Sequence, residues 1–139
     1  MQVKKVGDTL LVRIDRGEEI VASLLELARK EQIQLASVTG LGAVDHVVFG
    51  TYGVEQKAFT PVEKNGEMEV TALVGNLTRQ EGAPYLHLHI TLADATGGAF
   101  GGHLKEARIS GTSEIFVRVL EGQVGRTYDP VTGLQLWQF

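Results

Sequence analysis

Cysteine is absent from the 139 residues, so disulfide staples, thiolate zinc sites and cysteine nucleophiles are all excluded. An excess of positive charge is lacking too. Thirteen Lys and Arg stand against seventeen Asp and Glu, a net charge of −4 with His neutral. Up to Val70 there are eight basic and eleven acidic residues, and after it five and six, so neither half is a basic arm. Duplex DNA binding draws most of its affinity from Lys and Arg displacing counterions at phosphates. A basic patch for that purpose would have to be assembled in the fold from Arg79, Lys105, Arg108, Arg118 and Arg126. No apolar run approaches the ~20 residues that span a bilayer. The opening MQVKKVGDTLLVRID has neither an apolar h-region nor a small-residue cleavage site. A cytoplasmic protein with no membrane partner is expected.

What is present is ordinary for a folded chain. Hydrophobic residues make up 43% and charged residues 22%, the balance of a globular domain. The length suits one domain over residues 1–139, and such a chain buries roughly 70% of its unfolded surface without needing a staple. A helix is predicted from about Gly17 to Gln32. Ile20, Leu24, Leu27, Ala28 and Glu31 recur at helical spacing, widened by Val21 and Leu25. Glu18 and Glu19 would lie in its first turn and Arg29 and Lys30 in its last, matching the macrodipole.

Almost everything else reads as strand: Thr9–Asp15, Leu35–Thr39, Ala43–Tyr52, then Lys57–Glu63 and Glu67–Leu77 as a hairpin across Asn65-Gly66. Tyr85–Ala93, a short strand near Ala99–Leu104 and Ser113–Glu121 follow. A tail hairpin, Gln123–Tyr128 with Leu134–Phe139, turns through Asp129-Pro130-Val131-Thr132-Gly133. One early helix and a succession of strands predict an α+β fold with a mostly antiparallel, curled or barrel-like sheet.

Three of the four histidines fall in PYLHLHITLADATGGAFGGHL. Over Tyr85–Ala93 the alternation is strict: Leu86, Leu88, Ile90 and Leu92 share one side, His87, His89 and Thr91 the other. The apolar side must be core. The two imidazoles therefore project from one face with Cβ atoms ~7 Å apart, close enough to converge on one divalent ion. His103 follows a glycine cluster, Gly97, Gly98, Gly101 and Gly102, which reads as a bend that returns the chain beside the pair. Three histidines plus water make an open site, not a closed structural one. Solvated histidines on an outer face are the plainer alternative. His46, among Val44, Val47 and Val48, reads as a hydrogen-bonded residue and not as a fourth ligand.

Other templates fail. TGLGAV at Thr39–Val44 lacks the third glycine of a dinucleotide fingerprint and leads into a strand. The Walker pattern and the Gly-x-Ser-x-Gly elbow are absent. Ser110-Gly111-Thr112-Ser113-Glu114 reads as a turn entering a strand. Glu114 and Glu81 are the candidates for a catalytic carboxylate.

The set TGLGAV, HLHITLADATGGAFGGHL and SGTSEIFVRVLEG resembles the plant- and prokaryote-conserved (PPC) domain, over roughly Arg13 to Thr127. The resemblance implies a compact α+β domain that assembles into homotrimers. In plant members the domain is joined to an AT-hook, an Arg-Gly-Arg-Pro element that enters the DNA minor groove. No such element occurs here. Glu67 in Gly66-Glu67-Met68-Glu69-Val70 stands where the plant members have arginine. The wider fold group is similar to α-acetolactate decarboxylase, whose zinc sits on a His-x-His pair and a third histidine. That likeness implies ligands at His87, His89 and His103, and zinc as the divalent metal. Three functions follow as expectations: a homotrimeric regulatory or assembly module with a metal site, a metal-dependent enzyme acting on a small keto or hydroxy acid, and a DNA-binding protein. The first accounts best for the charge and the missing hook.

Overall fold

The computed structural model describes residues 1–139. Its one helix, α1 (Ile20–Lys30), is shorter than the apolar period suggests because Glu19 ends it. Glu19 is extended, and its carboxylate accepts from the backbone N–H of Val21 (2.8 Å) and Ala22 (2.6 Å). It also accepts from Ala107 N–H at 2.9 Å, tying the helix entrance to the sheet. Ile20, Leu24, Leu27 and Ala28 are buried as the spacing requires, while Glu31 serves as the exposed C-cap. Replacing Glu19 with alanine would orphan three backbone donors. The expected cost is about 1–3 kcal/mol in urea unfolding, with Glu19→Gln recovering part of it.

The strands are β1 (Gln2–Val6), β2 (Thr9–Asp15), β3 (Ala36–Gly53), β4 (Ala58–Gln80), β5 (Ala83–Ala93), β6 (Ala99–Val119), β7 (Gly125–Asp129) and β8 (Leu134–Gln138). The first six form one antiparallel sheet in the order β1-β2-β6-β3-β4-β5. This sheet curls until the end of β5 meets the start of β6, through the pairs His89↔His103 to Ala93↔Ala99. Contact along that seam is limited to those five pairs, so the sheet is curled and not closed into a barrel. Its inner face and α1 share one core, in which Ile14, Leu73, Leu77, Leu88, Ile90 and Leu92 are buried. β7 and β8 pair only with each other, and β7 lies against β4.

Several expected breaks are absent. The Asn65-Gly66 hairpin does not form, because β4 runs unbroken beside β3 and the chain reverses at residues 54–57 instead. Gly66 uses its positive φ of 108° in a bulge, where Val44↔Met68 is followed by His46↔Asn65. Leu35–Thr39 and Ala43–Tyr52 merge into β3, straight through TGLGAV. Ala99–Leu104 and Ser113–Glu121 merge into β6, and Ser110–Thr112 is absorbed as a bulge between Val44↔Ile109 and Gly42↔Ser113. β1 has no counterpart among the expected strands; its pairing with β2 supplies the order that its exposed sequence lacks.

Candidate metal centre

Strand alternation does what the sequence predicts at β5. Leu88, Ile90 and Leu92 enter the core, and His87 and His89 stand on the outer face with ring centroids 5.2 Å apart. The glycine segment then turns back. Asp94 Oδ1 accepts from Thr96 N–H (2.9 Å) and Gly98 N–H (3.0 Å), and β6 begins at Ala99. Gly101 and Gly102 let β6 close up: a Cβ on Gly101 would fall 2.0 Å from Ile90 O, and one on Gly102 2.4 Å from Gly50 O.

This close approach sets His103 directly opposite His89. Its ring centroid lies 5.0 Å from that of His87 and 5.5 Å from that of His89. One nitrogen from each ring lies within 4.8 Å of the other two. Nitrogens bound to one zinc at about 2.0–2.1 Å would lie within about 4.2 Å of each other.

Protonation state suits ligation. Burial is the main cause that holds the His103 pKa down to about 4, and Lys105, His87 and His89 add to it. His87 is lowered as well, by burial first and then by its neighbour His89 and the charges of Arg126 and Lys105. At neutral pH both rings are thus neutral, the form that offers a lone pair to a metal. His89 is exposed while the other two are half-buried, so the cluster is reached from solvent. The donor set fits a borderline divalent ion.

The other candidates lie elsewhere. Glu114 is eleven residues further along β6 than His103, on the order of 35 Å of strand, opposite Arg13 and Leu41. Glu81 sits in the exposed turn between β4 and β5, six residues before His87 and about 20 Å of strand away. No carboxylate contributes to the shifts of His87 or His103. His46 is bonded as expected, with Nε2 3.1 Å from Glu63 Oε1 and Nδ1 3.7 Å from Glu106 Oε1.

Sequence reasoning missed four neighbours of the triad. The Phe59 ring packs edge-on to His103 at 5.9 Å, and Lys105 Nζ lies 4.7 Å from the centre of that ring. Asn76 pairs in register with His87, and Arg126 donates to Asn76 Oδ1 at 2.9 Å. Asn76 has a weak signal in the outward alternation of β4; Arg126 has none, since only the docking of the tail hairpin brings it here.

The basic patch does not assemble. Arg108 pairs with Asp45 at 2.7 Å and Arg118 with Asp8 at 3.0 Å, which leaves Arg126 and Lys105 near the triad without a carboxylate partner. No helix is long and apolar enough to cross a membrane.

A sequence model of the Plants and Prokaryotes Conserved (PCC) domain matches residues 1–121. The chain is similar to a candidate DNA-binding protein from Bacteroides thetaiotaomicron, solved by crystallography. The two are 31% identical, the match covers 99% of this chain and 96% of that one, and the TM-score is 0.97. A metal-containing protein from Archaeoglobus fulgidus is 33% identical over 97% of this chain and 96% of that one, with a TM-score of 0.90. A Staphylococcus aureus protein described as similar to α-acetolactate decarboxylase shares the fold alone, at 18% identity and a TM-score of 0.56 over 85% of this chain and 54% of that one. Among curated proteins, the bifunctional protein GlmU of a Synechococcus strain is 32% identical over 124 residues, 88% of this chain. The chain spans only 18% of that protein's length.

Proposed function

The chain belongs to the Plants and Prokaryotes Conserved domain family, and from that premise we propose that residues 1–139 act as one cytoplasmic domain, a homotrimeric regulatory or assembly module carrying a divalent metal ion, zinc, on His87, His89 and His103. The observation that carries the reading is the convergence of three imidazole nitrogens within 4.8 Å. His87 and His89 share a strand face, and His103 is held opposite by the β5–β6 pairing. Such an ion would supply Lewis acidity and an exchangeable coordination position. The protein's own contribution is to hold the three imidazoles in place and keep His89 in solvent.

DNA binding is part of the printed description of the Bacteroides relative. For this chain we infer that any contact with DNA goes through partners. The aspartates beside Arg108 and Arg118 neutralise them, and the net charge is −4. A metal-dependent enzyme acting on small keto or hydroxy acids is the second reading. It is favoured by the exposure of His89, which leaves one side of the cluster open to solvent. It then needs a proton carrier other than Glu114 or Glu81, both a strand's length from the triad.

The test is elemental analysis and light scattering on tag-free protein. The expected result is about one ion per chain and a mass about three times the 15.1 kDa of one chain. Metal-free protein, or a monomer at micromolar concentration, would refute the corresponding half of the reading. Electrophoretic mobility of duplex DNA is expected not to shift even at low salt, where charge-driven binding is strongest.

A further inference from the structure

The cations nearest the triad have no counterions. Arg13, Arg108 and Arg118 each pair with an aspartate, whereas Arg126 and Lys105 have no carboxylate partner. Arg126 is nonetheless half-buried and fixed. Its Nε donates to Thr78 Oγ1 (2.8 Å), Nη1 to Gln135 O (2.7 Å) and Nη2 to Asn76 Oδ1 (2.9 Å). The guanidinium lies over the Tyr85 ring at 4.3 Å. Thr78, on the outward face of β4, is fully buried beneath it. All three acceptors are neutral, so the charge is held in position without being cancelled. A partly desolvated cation in that state is costly unless something anionic completes it. Two of the five N–H donors of an arginine remain unused.

The location matters as much as the charge. Asn76 and Thr78 pair with His87 and Tyr85, so the guanidinium lies along the same outer sheet face as the triad, beside His87. Lys105 flanks the opposite side, through Phe59 against His103. Arg126 lies beyond residues 1–121, the part matched by the family model.

We propose that a small ligand bearing a carboxylate or phosphate group docks over the triad, with its anionic oxygens on Arg126 and Lys105. The proposal rests on the reading of the triad as a metal centre, which adds positive charge and an open position to the same face. Planar bidentate pairing with an oxyanion is the chemistry that a fixed guanidinium performs best.

Cobalt(II)-loaded protein tests this without any assay of activity, because the visible absorption of cobalt responds to a new ligand. Pyruvate and inorganic phosphate are the two probes, and the one that titrates at lower concentration identifies the anion class. Arg126→Met is expected to weaken that titration at least tenfold and Lys105→Gln severalfold, with cobalt content unchanged at one per chain. Should Arg126→Met loosen the tail hairpin, Lys105→Gln, at an exposed position of β6, still reads the same electrostatics. Unchanged affinity in both variants overturns the proposal, as does a wild-type spectrum indifferent to both anions. Wild-type protein that takes up no cobalt fails earlier, before any anion is added, and removes the metal reading together with this one.

Discussion

Gly75→Ala is expected to lose most of its stability margin and, with it, the capacity of the triad to hold the proposed metal ion. A Cβ on Gly75 would fall 2.0 Å from His87 O and 2.9 Å from Leu88 Cα, both backbone atoms. No side-chain rotation relieves a clash with backbone. β4 and β5 would have to part by about an ångström, enough to break ladder hydrogen bonds around Gly75↔Leu88. Overpacking of this kind costs about 3 kcal/mol or more where the neighbours cannot move. The residue pushed first is His87, so the disturbance reaches the triad directly. Gly82→Ala is the control: φ is 80° but nothing lies within 4 Å of its Cβ. Only backbone strain of about 1 kcal/mol is expected there. Urea unfolding by circular dichroism and metal content after dialysis separate the two variants. A Gly75→Ala protein that melts with the wild type and keeps its metal would mean that the β4–β5 spacing places no constraint on the site.

What could be read in the sequence divides along physical lines. The outward pair His87 and His89 is legible because a half-buried strand has a period of two and the apolar partners are unambiguous. The core stripe of α1 is legible for the same reason at helical period. The Asn65-Gly66 turn misleads because dipeptide preference is local. Here β3 offers hydrogen-bond partners along the whole length of β4, so a residue with positive φ is used as a bulge. Merged strands escape prediction likewise, since Gly40, Gly42 and Gly111 look like punctuation until a neighbouring backbone is seen to press on Gly40 and Gly42. Arg126 is illegible in principle. Its place beside His87 depends on how the hairpin docks: Tyr52 Oη donates to Thr132 O at 3.0 Å, and Lys57 Nζ donates to Pro130 O at 2.5 Å. No local pattern encodes those contacts.

Metal removal is expected to act mainly on one seam of the fold. β5 and β6 meet through five register pairs, His89↔His103 to Ala93↔Ala99, while β3 pairs with β4 and β6 over nearly its whole length. An ion held by His87 and His89 from one strand and His103 from the other crosses that short seam. Ligand binding to the native state alone contributes RT ln(1 + [L]/Kd), about 2.7 kcal/mol at a hundredfold excess over Kd. With an unfolding entropy of about 2.1 cal/mol/K per residue, that raises the Tm of a chain of this length by roughly 9 °C. His103→Ala should abolish the rise and reduce bound metal to background, because the two histidines left share one strand. His46→Ala, bonded to Glu63 and remote from the triad, should retain both. Hydrogen exchange locates the effect: in chelated protein the amides of residues 89–93 and 99–103 are expected to lose protection before those of β3 and β4. If chelation loosens β3 as much as the β5–β6 seam, or if His103→Ala still gains several degrees from added zinc, the three imidazoles do not share one ion.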